Sequence, residues 1–437
     1  MSRAASTSTW QATEAPAALL QIQRRPSYGQ RLATIAEESE SGSHSSQSCN
    51  LKQPAISSTS GKVPMDPYSN TLYMLDEDYF DHEDLMIEAM ALHRQQHATL
   101  GASSSHRPNS QPRMFIRRNP LKGHERLWKD YFAQPPIYPP NVFRRRFRMN
   151  RDLFLRIHST VQTHDDYFIQ KRDASGRLGL SSLQKMTTAI RMLAYGITAD
   201  LMDEYVRIGE STARLSMKKF VKAIVSIFGG EYLRSLTSND IARLLEVGQM
   251  RGFPGMLGSI DCMHWKWKNC PSAWKCMYSD HVNEPTIILE AVASYDLWIW
   301  HAFFGLPGSH NDINVLDRSS VFAALAESRA PPCNYTINGH EYTMGYYLAD
   351  GIYLSWATLV KTIPAPHGKK KKHFTACQES ARKDVERAFG ILQFRFAIVH
   401  EPARYFHPEV LNDIMYACII LHNMIVEDER HLYLGAD

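Results

Sequence analysis

Hydrophobic positions are sparse and irregular over the first part of the chain. The segments Ser27–Ser60 and Ala102–Arg113 are dense in Ser, Gln, Gly and charged residues. Such segments cannot bury enough apolar surface to offset the entropy lost on ordering. We therefore predict a disordered low-complexity tail over residues 1–120. Within it, the acidic and then Met- and Leu-rich stretch Asp76–His97 predicts a short helix, which either docks on a partner or frays in isolation.

From Lys122 onward, hydrophobic residues recur with the period of an α-helix. Prolines near residue 135 separate a first aromatic-rich segment from the rest, because proline favours extended backbone around itself. The apolar positions then predict helices over Val142–His158, Ser182–Tyr195, Asp200–Ile208 and Ser211–Phe228. Gly229-Gly230 is expected to end the last of these. Residues 121–250 are thus predicted to form an all-helical domain.

Beyond Arg251 the pattern changes to short apolar runs. These predict strands over Met256–Ile260, Thr286–Ser294, Trp298–Phe304 and Tyr346–Ala349, and helices over Asn311–Glu327 and Ser380–Phe396. Strands interleaved with helices in this order are typical of a sheet with helices on its faces. We predict an α/β domain over residues 251–430, with a mixed sheet flanked by helices.

Net charge, cysteine spacing and the length of apolar runs limit the classes of protein to which the chain can belong. The 437 residues are 44% hydrophobic with a net charge of only +4, so whole-chain charge does not indicate a nucleic-acid binder. The seven cysteines follow no regular spacing, which favours reduced thiols over a disulfide framework. The longest apolar run, Met415–Val426, is too short to span a bilayer. We expect an intracellular protein without a membrane segment.

Acidic residues mark the ends of two predicted strands. Asp261 follows Ile260, and Asp350 follows Ala349; strand ends are where α/β folds commonly place reactive groups. Glu386 lies on the last helix of this set, 35 intervening residues after Asp350. Carboxylate oxygens are the ligands that Mg²⁺ and Mn²⁺ prefer. Two such ions, about 3.5–4 Å apart, can hold the attacking and leaving oxygens of a phosphodiester.

Spacing alone leaves other interpretations open. Asp350 would also suit a turn, and Glu386 would suit a solvated helix face beside Arg382 and Arg387. Asp312 competes with Asp350 as the second aspartate, either as a ligand or as a helix cap beside the site. We favour Asp350 because it directly follows a strand.

The residues around these acids carry a family resemblance. Long stretches such as GMLGSIDCMHWKWKNCPSAWK (Gly255–Lys275), GYYLADGIY (Gly345–Tyr353) and ARKDVERAFGILQFRFAIV (Ala381–Val399) resemble the plant branch of the PIF/Harbinger superfamily of DDE transposases. Pro285–Leu316 and Asp413–Glu429 extend the resemblance, which covers roughly residues 122–429. Small departures, at Cys276–Tyr278 and Leu354, concern loops.

The resemblance implies a function and a set of site residues. It places the family's acidic triad on Asp261, Asp350 and Glu386, in an RNase H-like catalytic core with Mg²⁺ or Mn²⁺ as a two-metal cofactor. It implies cleavage of double-stranded DNA at terminal inverted repeats and joining of the freed ends to target DNA. It further implies a Myb/SANT-like partner protein. We also expect a nuclear location and a homo-oligomeric assembly.

Three basic segments are candidates for DNA contact. A helix-turn-helix with its turn at Ile208–Ser211 would present the following helix to a major groove. The candidate residues are Arg144, Arg145, Arg146, Arg214, Lys218, Lys219, Lys369, Lys370, Lys371 and Lys372. A helical bundle with a solvated basic face explains the first two segments equally well. The lysine run is equally compatible with phosphate binding, a nuclear-import signal or a solvated loop.

A second function remains open at this point. Hosts recruit proteins of this type as DNA-binding or chromatin-associated factors that lack catalysis. A nuclease that cuts DNA without joining it would carry the same acidic triad. The intact triad favours catalysis.

Overall fold

The computed structural model describes residues 116–319, 333–353 and 356–430. All of them lie within one compact unit, Arg107–Asp437. The predicted tail up to residue 115, including the helix over Asp76–His97, lies outside the described residues. Within the described ranges, the first helix begins at Pro120, where the Asn119 side chain accepts a hydrogen bond from the Lys122 amide and caps it.

The part of the chain before the first strand is helical. Its helices are α1 (Pro120–Tyr131), α2 (Pro140–Phe147), α3 (Arg151–His164), α4 (Ser182–Tyr195), α5 (Leu201–Val206), α6 (Glu210–Tyr232) and α7 (Ser238–Met250). The predicted bounds of α4 are confirmed, and its capping box between Ser181 and Gln184 explains the sharp start. Residues 116–250 therefore have the helical character that the hydrophobic period predicted.

Two helix predictions in this part are wrong. The single helix expected over Val142–His158 is two helices, because Arg148 has a left-handed backbone, φ 62°; the bend lets the Phe147 and Phe154 rings pack 5.1 Å apart. The glycine pair at 229–230 does not end α6, which runs on to Tyr232. Burial of Phe228 and Tyr232 outweighs the roughly 1 kcal/mol per residue that glycine costs inside a helix.

The rest of the described chain is built on a five-stranded mixed sheet. Its strands are β1 (Met256–Lys266), β2 (Thr286–Ala293), β3 (Ile299–Pro307), β6 (Tyr346–Ala349) and β7 (Leu359–Lys361), in the order β3-β2-β1-β6-β7. The pairs β1–β2 and β2–β3 are antiparallel, whereas β1–β6 and β6–β7 are parallel. Strands β4 (Tyr335–Ile337) and β5 (His340–Tyr342) form a separate hairpin. The α/β class and the mixed sheet are confirmed.

The described helices of this part are α8 (Lys275–Tyr278), α9 (Asp312–Leu316), α10 (Gly368–Arg395) and α11 (Pro408–Asp428). Of these, α9, α10 and α11 pack on the sheet. The helix predicted over Asn311–Glu327 ends at Leu316 in the structure, and residues 320–332 lie outside the described part. The helix predicted over Ser380–Phe396 starts much earlier, at Gly368. Lysine and glutamate are good helix formers, so the charged segment without apolar period extends α10.

The first strand is longer than predicted. It does not stop at Ile260 but continues through Asp261 to Lys266. The extension is held by antiparallel pairing with β2, from Cys262 opposite Glu290 to Lys266 opposite Thr286. On its other side, β1 pairs with β6 only as far as Ser259. Asp261 therefore lies where β1 loses one of its two neighbours.

Helix α11 forms the centre of the core. Its length and apolar composition would suit a membrane span, yet 72% of its 18-residue apolar window is buried within the protein, as expected for a core helix. It packs along α6, and buried Asn423 joins it to both sides: its amide donates to the carbonyls of Tyr232 and Ile299 at 2.8 Å. This packing crosses residue 250, and the division into two independent domains there stays a prediction.

His422 on α11 is a fully buried histidine with both ring nitrogens engaged. Nε2 donates to the Leu297 carbonyl at 2.8 Å. Nδ1 lies 3.1 Å from Nη1 of Arg395, which can only donate, so the neutral ring satisfies both contacts. Burial, and then the Arg395 charge, lower the pKa of His422 to about 3. The protonated ring therefore belongs to the unfolded chain at any moderately acidic pH.

A pH-dependent loss of stability follows. Between pH 6.5 and about 3 the unfolded state binds one more proton than the native state at His422, so the free energy of unfolding falls as pH drops below 6.5. The expected contribution is about 2 kcal/mol at pH 5. Urea unfolding at pH 7.5 and pH 5 should show a smaller pH-dependent difference for His422→Gln than for the unsubstituted protein. Equal differences would contradict this assignment.

Candidate active site

Asp261 faces the long helix α10 because of its register on β1. Ser259, two residues earlier on the same face of the strand, donates its hydroxyl to the Ala381 carbonyl of α10 at 3.1 Å. One carboxylate oxygen of Asp261 accepts the Cys262 amide at 2.9 Å. The side chain is 19% exposed. Asp261 is thus a mostly buried acid on a rigid strand, beside a helix.

Asp350 stands at the end of the neighbouring parallel strand. Ser259 on β1 pairs with Leu348 on β6, so Asp261 and Asp350, each two residues further on, lie at the same level. The carboxylate of Asp350 accepts the Ile352 amide at 2.9 Å, an Asx turn that holds the loop after the strand. Both aspartates therefore lie just past the last residues that pair β1 with β6.

Glu386 reaches the same region from α10, through an arginine. Arg382, one helical turn earlier, places Nη2 2.7 Å from Oε1 of Glu386 and Nη1 3.3 Å from Oδ2 of Asp261. Residues four apart share a helix face, which explains how one guanidinium meets both acids. The structure brings Asp261 and Glu386 together around a single positive charge.

The surroundings oppose ionisation of Asp261. Burial raises its pKa to about 6, with the negative charges of Asp312 and Glu386 acting in the same direction and the Cys262 amide and the Arg382 charge acting against it. A carboxylate held this way gains from any additional cation nearby.

Asp312 lies beside the site. It is the first residue of α9, while the helix cap is its neighbour Asn311, whose side chain accepts the Asn314 amide at 2.9 Å. Burial raises the pKa of Asp312, a hydrogen bond with Cys262 lowers it, and the Asp350 carboxylate raises it. Asp312 thus adds a negative charge next to both predicted aspartates.

An open cleft of about 310 Å³ adjoins these residues. It is lined by Asp350, Gly351, Thr362, Pro364, Glu379, Arg382 and Lys383. The cleft therefore gives a ligand access to Asp350 and to the guanidinium between the other two acids. Its two basic side chains suit an anionic group such as a phosphate.

The chemistry of the donors fits a hard divalent cation, whereas their present arrangement holds a guanidinium. Asp261, Asp350 and Glu386 supply only carboxylate oxygens, as Mg²⁺ and Mn²⁺ prefer. Within the part of the chain that the structure describes, no three acidic, His or Cys side chains are already arranged around one metal position. Arg382 occupies the space between two of the acids, so a metal ion there requires Arg382 to move.

Two residues of this site are absent from the sequence-based hypothesis. Arg382 was considered only as a neighbour that would make Glu386 a solvated residue. Gln378 was not considered; it is fully buried, donates to the Ala349 and Val360 carbonyls at 3.0 and 3.1 Å, and accepts the Thr362 hydroxyl. It ties α10 to β6 and β7 next to Asp350. Gln378, Arg382 and Glu386 are four residues apart and therefore share one helix face. This spacing could have indicated both missing residues.

Comparisons with known proteins agree with the motifs around this site. The family model described as "Plant transposon protein" matches residues 230–433, and a domain of unknown function (DUF8418) matches residues 123–162. "Protein ALP1-like" of Arabidopsis thaliana is 23% identical over 319 residues, covering 69% of this chain and 75% of that protein. "Putative nuclease HARBI1" of Mus musculus is 23% identical over 180 residues, 41% of this chain and 48% of that protein.

The match over residues 230–433 and these two relatives support a PIF/Harbinger-type transposase family for the chain. No solved structure is significantly similar to it.

Two of the basic candidates on α2 have protein partners. Arg144 pairs with buried Glu429 at 2.5 Å. Arg146 lies over the Tyr138 ring at 4.1 Å and also bonds the Tyr131 hydroxyl. Arg145 is exposed. These contacts give the segment a structural role, and DNA contact by its arginines stays a prediction.

The expected recognition helix is α6, and it is largely enclosed. It packs on α4 and α11, and the turn before it, between Val206 and Glu210, is one to two residues from the predicted position. Arg214 pairs with Glu210, Lys219 lies 3.5 Å from Asp165, and Lys218 lies over the Tyr405 ring. Contact of α6 with DNA likewise remains a prediction.

The lysine run occupies a different kind of element from the loop considered in the sequence. Lys369, Lys370, Lys371 and Lys372 form the first turn of α10, and all four are exposed. They lie on the same helix as Arg382 and Glu386. This basic turn and the acidic site therefore share one rigid support.

Proposed function

We propose that this chain is a DNA nuclease of the transposase type that depends on a divalent cation. The observation that carries the proposal is the convergence of Asp261 and Glu386 on one positive charge, 3.3 and 2.7 Å from the Arg382 guanidinium, beside Asp350. Asp261 and Glu386 share this guanidinium although they are far apart in sequence, and Asp350 follows the neighbouring strand. Carboxylates held close together repel each other, so their ionised forms are unfavourable unless a cation lies nearby.

The proposal includes an RNase H-like catalytic core. Its support is the sheet order β3-β2-β1-β6-β7, with three antiparallel strands followed by two parallel ones. Asp261 on the central strand, Asp350 after its parallel neighbour and Glu386 on the helix that packs across β1 then occupy three supports of one rigid body. Rigid supports of this kind keep catalytic groups in place.

Each residue of the site would have its own role in binding the cations or the DNA. Asp261 would lie between two bound Mg²⁺ or Mn²⁺ ions, and Asp350 and Glu386 would each hold one of them. When bound, such ions activate a nucleophilic oxygen and stabilise the leaving oxygen of a phosphodiester. Lys383, in the cleft beside Asp350, would bind the DNA phosphate, and the Ile352 amide holds the Asp350 loop in place.

The substrate we propose is double-stranded DNA with terminal inverted repeats, followed by joining to target DNA. A Myb/SANT-like partner, a homo-oligomeric assembly and a nuclear location complete the proposal. The exposed lysines at the start of α10 support electrostatic attraction of DNA, which should weaken as salt rises.

Cleavage of a labelled duplex that carries the element's own ends tests the proposal. The reaction is run with Mg²⁺, with Mn²⁺ and with EDTA, each with and without the Myb-like partner. Cutting that requires the divalent cation supports a nuclease, and transfer of the cut 3′ ends into a second duplex supports a transposase.

A DNA-binding protein without catalysis is the second candidate. The observation that favours it is that Arg382 already pairs with both Asp261 and Glu386. Tight binding of the duplex without cutting, in the presence of partner and cation, would establish this candidate in place of the first.

A further inference from the structure

Arg382 is bound more tightly into the acidic site than a surface arginine would be. Its side chain is only 17% exposed, and its two terminal nitrogens each contact a different carboxylate. Its third nitrogen, Nε, is buried and has no hydrogen-bond partner among the described residues. The guanidinium is therefore held by its two carboxylate contacts, with the Nε–H unused.

The same side chain also borders the open cleft. Arg382 lines it together with Asp350 and Lys383. A long arginine side chain can rotate about its own bonds while α10 stays in place. The guanidinium thus has a second location within reach, on the cleft side, where an anionic ligand would pair with it.

We propose that Arg382 is a built-in competitor of the divalent cation: it occupies the cation position between Asp261 and Glu386 and leaves it when a cation binds. The inference rests on the proposed function, because it concerns the same cation site. Displaced toward the cleft, the guanidinium with its unused Nε becomes available to a DNA phosphate, which planar arginine binds through two parallel hydrogen bonds.

The physical basis is mutual exclusion of positive charges. A divalent cation and a guanidinium that share the same two carboxylates repel each other at such short range, with Arg382 only 17% and Asp261 only 19% exposed. Binding of the cation must therefore overcome the contacts of Arg382, which weakens the apparent affinity. A phosphate that attracts Arg382 would remove this competition, so cation and DNA would bind cooperatively.

The test is Mn²⁺ binding by calorimetry at pH 8, without DNA, to the unsubstituted chain, Arg382→Gln and Arg387→Gln. Arg387 is the matched control, because it is an arginine of the same helix that pairs with Asp384 instead of with the acids of the site. We expect Arg382→Gln to bind Mn²⁺ on the order of tenfold more tightly, and Arg387→Gln to bind with little change. Arg382→Lys, which cannot bridge two carboxylates in the same way, should be intermediate and serves if Arg382→Gln does not fold.

The outcomes separate the inference from the proposed function. Equal or weaker Mn²⁺ binding by Arg382→Gln, with binding still lost in Glu386→Gln, would overturn the competition while leaving the cation site intact. Absence of Mn²⁺ binding in every variant would overturn both. An increase of equal size in Arg387→Gln would reduce the effect to net charge and also overturn the inference.

Discussion

Asp261→Asn should reduce cation-dependent DNA cleavage by at least the 10²–10³-fold that is typical when one preorganised electrostatic group is removed from an active site. Asp261 is the acid that contacts Arg382 and whose pKa is raised by burial and by both Asp312 and Glu386. Removing its charge removes the centre of the constellation, whereas asparagine retains its shape and its acceptor for the Cys262 amide.

Single-turnover cleavage of the labelled duplex measures this loss. Glu409→Gln, at an exposed position in the first turn of α11, is the control, because it removes one negative charge outside the site. Retained cleavage by Asp261→Asn at an unchanged melting temperature would show that catalysis does not use this aspartate.

Asp384→Asn should lower the free energy of unfolding by about 3 kcal/mol, as expected when one partner of a buried ion pair is lost. Asp384 lies on α10 between Arg382 and Glu386 in sequence but points to the opposite side, fully buried. It accepts Arg251 at 2.5 Å and also pairs with Arg387. The substitution leaves both guanidinium groups without their carboxylate.

Urea unfolding of Asp384→Asn and of Arg387→Gln gives the comparison. Arg387 is 54% exposed, so its loss should cost less than about 1 kcal/mol. Because Arg251 follows α7, this pair also fixes the orientation of α10 that carries Arg382 and Glu386. A loss under 1 kcal/mol for Asp384→Asn would mean that the pair does not anchor the helix.

The sequence predicted those parts of the fold where local pattern and packing agree. The bounds of α4 and β6, the mixed sheet and the helix that carries Glu386 all follow from hydrophobic period. The prediction failed where an element is stabilised by a partner far away in sequence. Strand β1 continues past Asp261 because β2 pairs with it. Helix α6 continues past its two glycines because α11 packs along it.

The three acidic residues of the candidate site could be predicted from the sequence, but the pairing of Arg382 with two of them could not. Asp261 and Asp350 lie side by side because β1 and β6 pair in parallel, with a register that the structure shows. Predicting where the strands lie in the sequence does not predict this register. Arg382 was visible as a neighbour four residues from Glu386, yet its contact with Asp261 arises only when α10 packs across β1. Side-chain contacts between elements far apart in sequence require the tertiary structure.

The central claim is that Asp261, Asp350 and Glu386 form one site for divalent cations. Crystals grown with Mn²⁺ and measured at a wavelength where manganese scatters anomalously test it most directly. The account predicts an anomalous peak between the carboxylates of these three residues, with the Arg382 guanidinium moved to the cleft side. Crystals saturated with Mn²⁺ that show no peak there, and Arg382 still bridging Asp261 and Glu386, would contradict it.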